Sequence, residues 1–334
     1  MTIRRSLALF ASVLALAACT RDEVALPLPA GFYPTAVAHS PREDAFYVAG
    51  LADGEVVRVA PGADPMSVRS GDPALRVAVR GTRLWLLTPA AVEVLYLNGA
   101  TERRVGLPAG FAPVDLAVWS EAAAFVLGTD GDVLRIDIAA GTAGRFARLA
   151  PRVAASPRAP SPVVREGGAD SAASSAAELA AANGAIAAFP GAYALLAAWG
   201  GGLYRIDAQR ATPTRIDTDT ALEDVTQIVR TGDGLRGERI ALFLGHANRV
   251  QAATLSRDLR TLTPDLSYGR YDAPFRGAWD GRSLRVLVGR LPHHPALAGD
   301  GRPPLPYRLA QRDAATGVPG AVQEVAMKTA PALP

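Results

Sequence analysis

Cysteine is almost absent from this chain of 334 residues, because Cys19 is the only one. A single cysteine cannot form an internal disulfide, so the fold must be stable without one. Lysine is equally scarce, with Lys328 alone, and the positive charge is carried by arginines scattered among carboxylates. No run of like charge marks a nucleic-acid-binding surface. The sequence therefore predicts no nucleic-acid partner.

The short motifs that mark common enzymes are also missing. The chain has no Gly-x-Ser-x-Gly nucleophile motif, no His-Glu-x-x-His zinc motif, no Walker A motif and no paired cysteines. These absences exclude the most recognisable hydrolases, zinc enzymes and nucleotide-binding enzymes. We therefore expect a non-enzymatic protein that needs no cofactor.

The N-terminus has the pattern of a targeting segment. Arg4 and Arg5 precede an uncharged apolar stretch, residues 6–18, which is shorter than the roughly 20 residues of a membrane-spanning helix. This stretch ends in Leu-Ala-Ala followed by Cys19, which resembles the bacterial lipobox. An ordinary signal peptide with an incidental cysteine is the alternative.

The lipobox resemblance implies a lipoprotein of the cell envelope. Residues 1–18 would then be a signal peptide that is removed. Cys19 would carry a diacylglyceryl group with fatty acyl chains such as palmitate, and residues 19–22 would form the lipidated tether. Such chains anchor a protein to a membrane without spanning it. Thr20, where retention in the inner membrane usually has Asp, favours the outer membrane.

A repeated phrase indicates the architecture. "LPAGFYP" begins at Leu28 and "LPAGFAP" begins 79 residues later at Leu107, and nine of 21 aligned positions are identical. Half of that spacing is about 40 residues, the length of one four-stranded propeller blade. Asp-Gly pairs at 53–54 and 130–131 lie between successive β-rich runs and predict hairpin turns.

The β-rich runs predict a single all-β propeller over residues 23–328. The first run of each unit begins near 34, 75, 114, 184, 225 and 275, which indicates six four-stranded blades. Seven is the alternative count if the Pro/Ala-rich insertion at about 150–183 contains a degraded blade. The last outer strand comes either from the N-terminus near Glu23 or, as we favour, from the segment near Val322. Residues 329–334 are expected to be a disordered tail.

The unit between residues 34 and 59 resembles bacterial β-propellers of the NHL, gluconolactonase and YVTN-type repeat superfamily, through the phrase "P..vA.sp.....YVa...dGeVvRv". Propellers of this kind include lactonases, esterases, sugar and peptide binders, and scaffolds. The gluconolactonase-like enzymes hold one divalent cation with Glu, Asn and Asp ligands. Their early "EGP" phrase is replaced here by "AGFYPTAVAH".

One acidic cluster is a candidate cation site. The stretch "IDTDTALEDVTQ" carries Asp217, Asp219, Glu223 and Asp224, and Asp115 lies in the third predicted inner strand, where the repeat has an alanine. Carboxylate oxygens suit calcium or magnesium. A solvated acidic loop is the alternative interpretation.

Aromatic and histidine side chains have mainly structural interpretations. Each tryptophan falls in or just after a run that a blade would bury, so core packing is predicted for Trp85, Trp119, Trp199 and Trp279. His39 ends an inner strand and either faces the central channel or is a satisfied polar residue.

Together these patterns predict a membrane-anchored envelope lipoprotein whose propeller is a non-enzymatic binding or scaffolding module. Its partners would be the membrane, through the lipid on Cys19, and an envelope protein or a small ligand. The alternative is a metal-assisted lactonase or esterase of the gluconolactonase type, with Asp115, Asp219, Glu223 and Asp224 as ligands of a divalent cation. In a third hypothesis the insertion binds a partner and the propeller only displays it.

Overall fold

The structure of the protein is a computed structural model. It describes residues 32–51, 54–150, 179, 182–218, 222, 224–234, 237–245, 247–270, 274–288, 307–313 and 319–325. For strand residues 233–234, 266–270, 275, 288, 307–313 and 319–325 only the backbone is described. The predicted signal peptide and tether, nearly all of the insertion at about 150–183, and the tail lie outside the described residues.

The described strands form six antiparallel sheets of four strands each. The first three sheets contain strands β1 Pro34–Ser40, β2 Ala45–Gly50, β3 Val56–Val59, β4 Met66–Arg69, β5 Arg76–Arg80, β6 Arg83–Leu87, β7 Ala91–Tyr96, β8 Thr101–Gly106, β9 Pro113–Val118, β10 Ala123–Gly128, β11 Asp132–Asp137 and β12 Thr142–Arg148.

The other three sheets follow the same order along the chain. They contain strands β13 Ala185–Phe189, β14 Ala194–Trp199, β15 Gly202–Asp207, β16 Pro213–Arg215, β17 Val225–Gly234, β18 Gly237–Leu244, β19 Arg249–Ser256, β20 Leu262–Arg270, β21 Pro274–Trp279, β22 Ser283–Val288, β23 Tyr307–Asp313 and β24 Pro319–Val325.

The first strand of every sheet is the inner one, and the inner strands form a closed ring. β1 contacts β5, and the contacts continue through β9, β13, β17 and β21 back to β1. This is a β-propeller, so the all-β prediction is confirmed. Because β9 contacts β13 directly, the ring has no place between them for a further sheet from the insertion.

Each sheet is built from four consecutive strands and begins with its inner strand, so all the inner strands start at the same face of the ring. We call the face at which the inner strands begin the entry face and the opposite face the exit face. The inner strands begin within one residue of the positions that the sequence predicts. The last outer strand is β24, so the C-terminal segment near Val322 occupies the place that the sequence left open between the two chain ends.

Turn chemistry explains where several strands end. The predicted turn at Asp130-Gly131 lies between β10 and β11, and Gly131 has the left-handed φ of 81° that favours glycine. Asp53 of the other predicted turn lies outside the described residues. Gly99, with φ 89°, packs so close to β4 that an added Cβ would lie 1.8 Å from the carbonyl oxygen of Val68.

Hydrophobic clusters hold neighbouring sheets together. Six clusters of buried side chains are described, one between each pair of successive sheets, including the pair formed by the last sheet and the first. Trp85 belongs to the cluster between the second and third sheets and is completely buried, as predicted. Trp119, Trp199 and Trp279 are half-buried and pack against neighbouring clusters. No helix within the described ranges is long and apolar enough to cross a membrane.

The cluster around Trp85 generates a stability prediction. Trp85→Ala removes a fully buried aromatic side chain between two sheets, and we expect it to lower the free energy of unfolding by about 3–5 kcal/mol. Urea denaturation followed by far-UV circular dichroism measures the change. Tyr96→Ala is the matched control, because Tyr96 is 46% exposed and should change stability by no more than about 0.5 kcal/mol. Equal losses in both variants would contradict this account of the core.

Candidate functional site

Three charged residues occupy corresponding positions on three inner strands near the entry face. In each sheet the inner strand pairs with the strand that follows it in the chain. Arg76 of β5, Asp115 of β9 and Arg276 of β21 each lie opposite a leucine near the end of that following strand, so the three residues are at the same level of the ring. Their exposed fractions are 3%, 5% and 0%. We call Arg76, Asp115 and Arg276 the axial cluster, because the inner strands surround the axis of the ring.

Asp115 is the centre of the hydrogen bonds in the axial cluster. Arg76 Nε donates to Asp115 Oδ1 at 3.0 Å, and the backbone N–H of Ile186 donates to Asp115 Oδ2 at 2.8 Å. Arg76 Nη1 also donates to the carbonyl oxygen of Leu75 at 2.6 Å. One carboxylate therefore connects the second, third and fourth sheets, which supply Arg76, Asp115 and Ile186.

The electrostatics of the axial cluster are unfavourable for its two cations. Burial lowers the pKa of Arg76, and the charge of Asp115 opposes that effect. Burial also lowers the pKa of Arg276 well below its ordinary value, the positive charge of Arg76 lowers it further, and Asp115 raises it. The two guanidinium groups repel each other, and their strands carry them at the same level of the ring on either side of β1. Because guanidinium groups stay protonated in proteins, both remain cations in this buried place.

Neutral polar groups link other neighbouring sheets near the same face. The hydroxyl of Thr35 donates to the carbonyl oxygen of Ala74 at 2.5 Å, connecting the first and second sheets. The side-chain amide of Gln227 donates to the carbonyl oxygen of Gly277 at 3.0 Å and accepts from its N–H at 2.6 Å, connecting the fifth and sixth. The ring can therefore be joined without charged groups.

The structure places the two described candidates for cation binding, Asp115 and Asp224, in different contacts. Asp115 is paired with Arg76, whereas the Asp224 carboxylate accepts a hydrogen bond from the N–H of Ala247 at 2.8 Å. Asp219 and Glu223 lie outside the described residues, as does Cys19, so the four-ligand site and the lipidation site stay predictions. Within the described part of the chain, no group of three or more His, Cys, Asp and Glu side chains is placed to hold a metal ion.

The remaining candidates are placed in structural contacts. Asp217 is exposed, and its backbone pairs with that of Arg260 and Leu262. The buried His39 ring packs against Phe46 with centroids 4.8 Å apart, and its Nε2 lies 3.4 Å from Asp44 Oδ1.

The sequence reasoning missed both arginines of the axial cluster. It selected Asp115 because the repeat has alanine there, at Ala36. The same signal marks Arg76 and Arg276, since each is a charged residue inside an apolar inner strand, "LRVAVRG" and "FRGAWDG".

Comparisons with known proteins show the fold. No protein-family model and no curated protein matches this chain. Among solved structures, the β-propeller domain of Cps50 (Swd1) from Myceliophteria thermophila is similar, with a TM-score of 0.58 and 14% identity over 88% of this chain and 86% of that one. The structure of U3-55K has a TM-score of 0.51 and 11% identity over 76% and 72%. A catalytically inactive virginiamycin B lyase from Staphylococcus aureus has a TM-score of 0.47 and 11% identity over 76% and 91%.

The axial pairing generates a second stability prediction. Asp115→Asn leaves Arg76 buried without its counter-charge, so we expect a loss of about 3–5 kcal/mol in the free energy of unfolding. Asp132→Asn is the control, because Asp132 pairs with the half-exposed Arg145 and should cost less than about 1 kcal/mol. Urea denaturation of both variants gives the comparison. An Asp115→Asn protein as stable as the control would show that the buried pair does not need its charge.

Proposed function

We propose that this protein is a non-enzymatic binding or scaffolding module of the cell envelope, held at a membrane by a lipid on Cys19. The observation that carries the binding role is the distribution of exposed large apolar side chains. Among the described residues, Met66, Tyr96 and Tyr193 are 49%, 46% and 62% exposed. Each lies at the exit-face end of its hairpin, although they come from the first, second and fourth sheets.

The exit face suits recognition of a protein. Near this face, Arg58 of β3 pairs with Glu43, in the loop before β2, at 2.8 Å, and Arg83 of β6 pairs with Glu102 of β8 at 2.6 Å. Aromatic side chains on rigid elements give contact area at a low entropic cost, and charged rims give specificity. An envelope protein is therefore the partner we favour for this face.

The contacts of two buried carboxylates, Glu93 and Asp115, support a non-enzymatic role. Glu93 is buried and lies 2.9 Å from Arg69 Nη2 and 3.2 Å from Arg104 Nη1. Asp115 is bound by Arg76 and by a backbone N–H. These two carboxylates are buried and bound by arginines that join neighbouring sheets, whereas a general acid or base needs access to its substrate.

The anchor restricts where the propeller works. The first described residue is Phe32, which packs in the cluster between the last and first sheets. Twelve residues separate it from Cys19, and an extended chain advances at most about 3.6 Å per residue. A lipid on Cys19 would therefore keep the propeller within roughly 45 Å of the membrane surface.

The anchor is tested by acyl labelling. When the full chain is expressed in bacteria with a clickable palmitate analogue, we expect the label on the wild-type protein and none on Cys19→Ser. Intact-mass spectrometry should show the wild-type chain without residues 1–18 and with added acyl mass. Equal labelling of the two proteins, or an unmodified Cys19 in the wild type, would contradict the lipid anchor.

The binding face is tested by photocrosslinking in cells. A photoreactive phenylalanine analogue at position 96 or 193 should capture the same partner protein, because both positions lie on the exit face. The control is position 130, an exposed residue in an entry-face turn, which should not capture it. The same products from all three positions, or none from 96 and 193, would contradict recognition at the exit face.

A further inference from the structure

The axial cluster contains a buried donor that lacks an acceptor. Arg76 uses Nε for Asp115 and Nη1 for the carbonyl oxygen of Leu75. Its third nitrogen, Nη2, is buried and has no hydrogen-bond partner among the described residues. Buried polar groups in folded proteins nearly always have partners, and an exception of this kind calls for an explanation.

The axial cluster as a whole has a net positive charge, because it contains two arginines and one aspartate. Asp115 is the one described carboxylate of the axial cluster, and both of its oxygens already accept hydrogen bonds. Arg276 lies at the same level of the ring as Arg76, and the single inner strand β1 lies between their strands. Arg276 has an interaction of its own and contributes its positive charge to the cluster.

The strand between the two arginines contributes no counter-charge. β1 lies between β21 and β5 in the ring and carries Ala36 at the same level, opposite Ala49. A methyl group has no acceptor and occupies little volume. The arrangement therefore combines two cations, one carboxylate that is already occupied, and a small neutral residue between the cations.

We propose that the axial cluster binds an oxyanion group, the carboxylate or phosphate of a small ligand, with Arg76 Nη2 as the donor. Asp115 fixes the orientation of the Arg76 guanidinium, and Arg276 adds positive potential. The site is on the axis near the entry face, so it is independent of the partner on the exit face and of the lipid on Cys19. Either proposal can fail without the other.

The chemistry of the donor selects this class of ligand. Guanidinium groups bind carboxylate and phosphate oxygens through charge-assisted hydrogen bonds with matching planar geometry. A neutral carbonyl group would accept the hydrogen bond from Arg76 Nη2, but it would not neutralise the excess positive charge of the two arginines. A divalent cation would be repelled by both arginines. The two hypotheses therefore differ in the ligand expected beside Asp115. The oxyanion hypothesis predicts an anion there, and the cation-site hypothesis predicts a divalent cation.

The test is isothermal titration calorimetry on the full chain in detergent at neutral pH. Sodium phosphate and sodium acetate are titrated separately, with sodium chloride keeping the ionic strength constant. We expect saturable binding of one anion per chain in at least one titration, and the titration that shows it distinguishes phosphate from carboxylate recognition. Arg76→Met should weaken binding at least tenfold. Arg76→Lys, which keeps the charge but loses the planar group, should bind between the two.

Matched controls make the result specific to the axis. Arg145→Met removes a half-exposed arginine that also pairs with an aspartate, and it should bind like the wild type. Absence of saturable binding to the wild type in both titrations, or unchanged binding in folded Arg76→Met, would overturn the proposal. Saturable binding of calcium or magnesium to the wild type that is lost in folded Asp115→Asn would overturn it in favour of a cation site.

A second measurement covers the case in which Arg76→Met does not fold. Thermal unfolding of the wild type is recorded in increasing phosphate or acetate at constant ionic strength. A ligand that binds only the folded chain raises Tm with its concentration. We expect such a rise in the wild type and in Arg145→Met and a smaller one in Arg76→Lys. A Tm that depends on ionic strength alone would refute the oxyanion site.

Discussion

Closure of the ring by the six inner strands is the constraint on which the rest of the structure depends. Each inner strand is enclosed by the neighbouring sheets, so polar groups near its beginning must find partners there or remain unsatisfied. The partners come from the next sheet around the ring. The N–H of Gly184 donates to the carbonyl oxygen of Val225 at 2.8 Å, and Thr35 and Gln227 make the corresponding bonds at other places. The hydrophobic cluster between the last and first sheets can form only when this ring closes.

The axial cluster departs from that pattern in a way that stability does not explain. Thr35 and Gln227 join their sheets with neutral groups, whereas Arg76 and Asp115 join theirs with a buried ion pair. Replacing a buried ion pair by well-packed apolar side chains is often neutral or stabilising, because desolvation of the charges offsets their attraction. A second buried arginine beside the first adds repulsion. The chain therefore carries an electrostatic cost at its axis that its hydrophobic clusters must offset, and a bound anion would remove part of that cost.

The fold was predictable from the sequence to the extent that it depends on local pattern. Strand length, turn residues and the spacing of the repeat are all properties of short segments, and they located the start of every inner strand within one residue. The pairing of Arg76 with Asp115 is not such a property. The two residues are 39 positions apart and meet only because neighbouring inner strands reach the axis at the same level. A single sequence shows that an apolar strand contains a charged residue. It does not show which charged residue of another strand lies beside it.

The two faces of the ring differ in the side chains that they carry. The inner strands begin at the entry face, and the hairpins with exposed tyrosines end at the exit face. Near the entry face, inner strands begin in buried surroundings, so the polar groups there are confined to fixed partners around the axis. At the exit face the hairpins end in solvent, where Tyr96 and Tyr193 remain exposed without affecting the clusters. A chain without disulfides depends on those clusters for its stability. Recognition at the ends of the strands is therefore the arrangement that leaves the clusters undisturbed. It places a polar axis at one face and exposed aromatic side chains at the other.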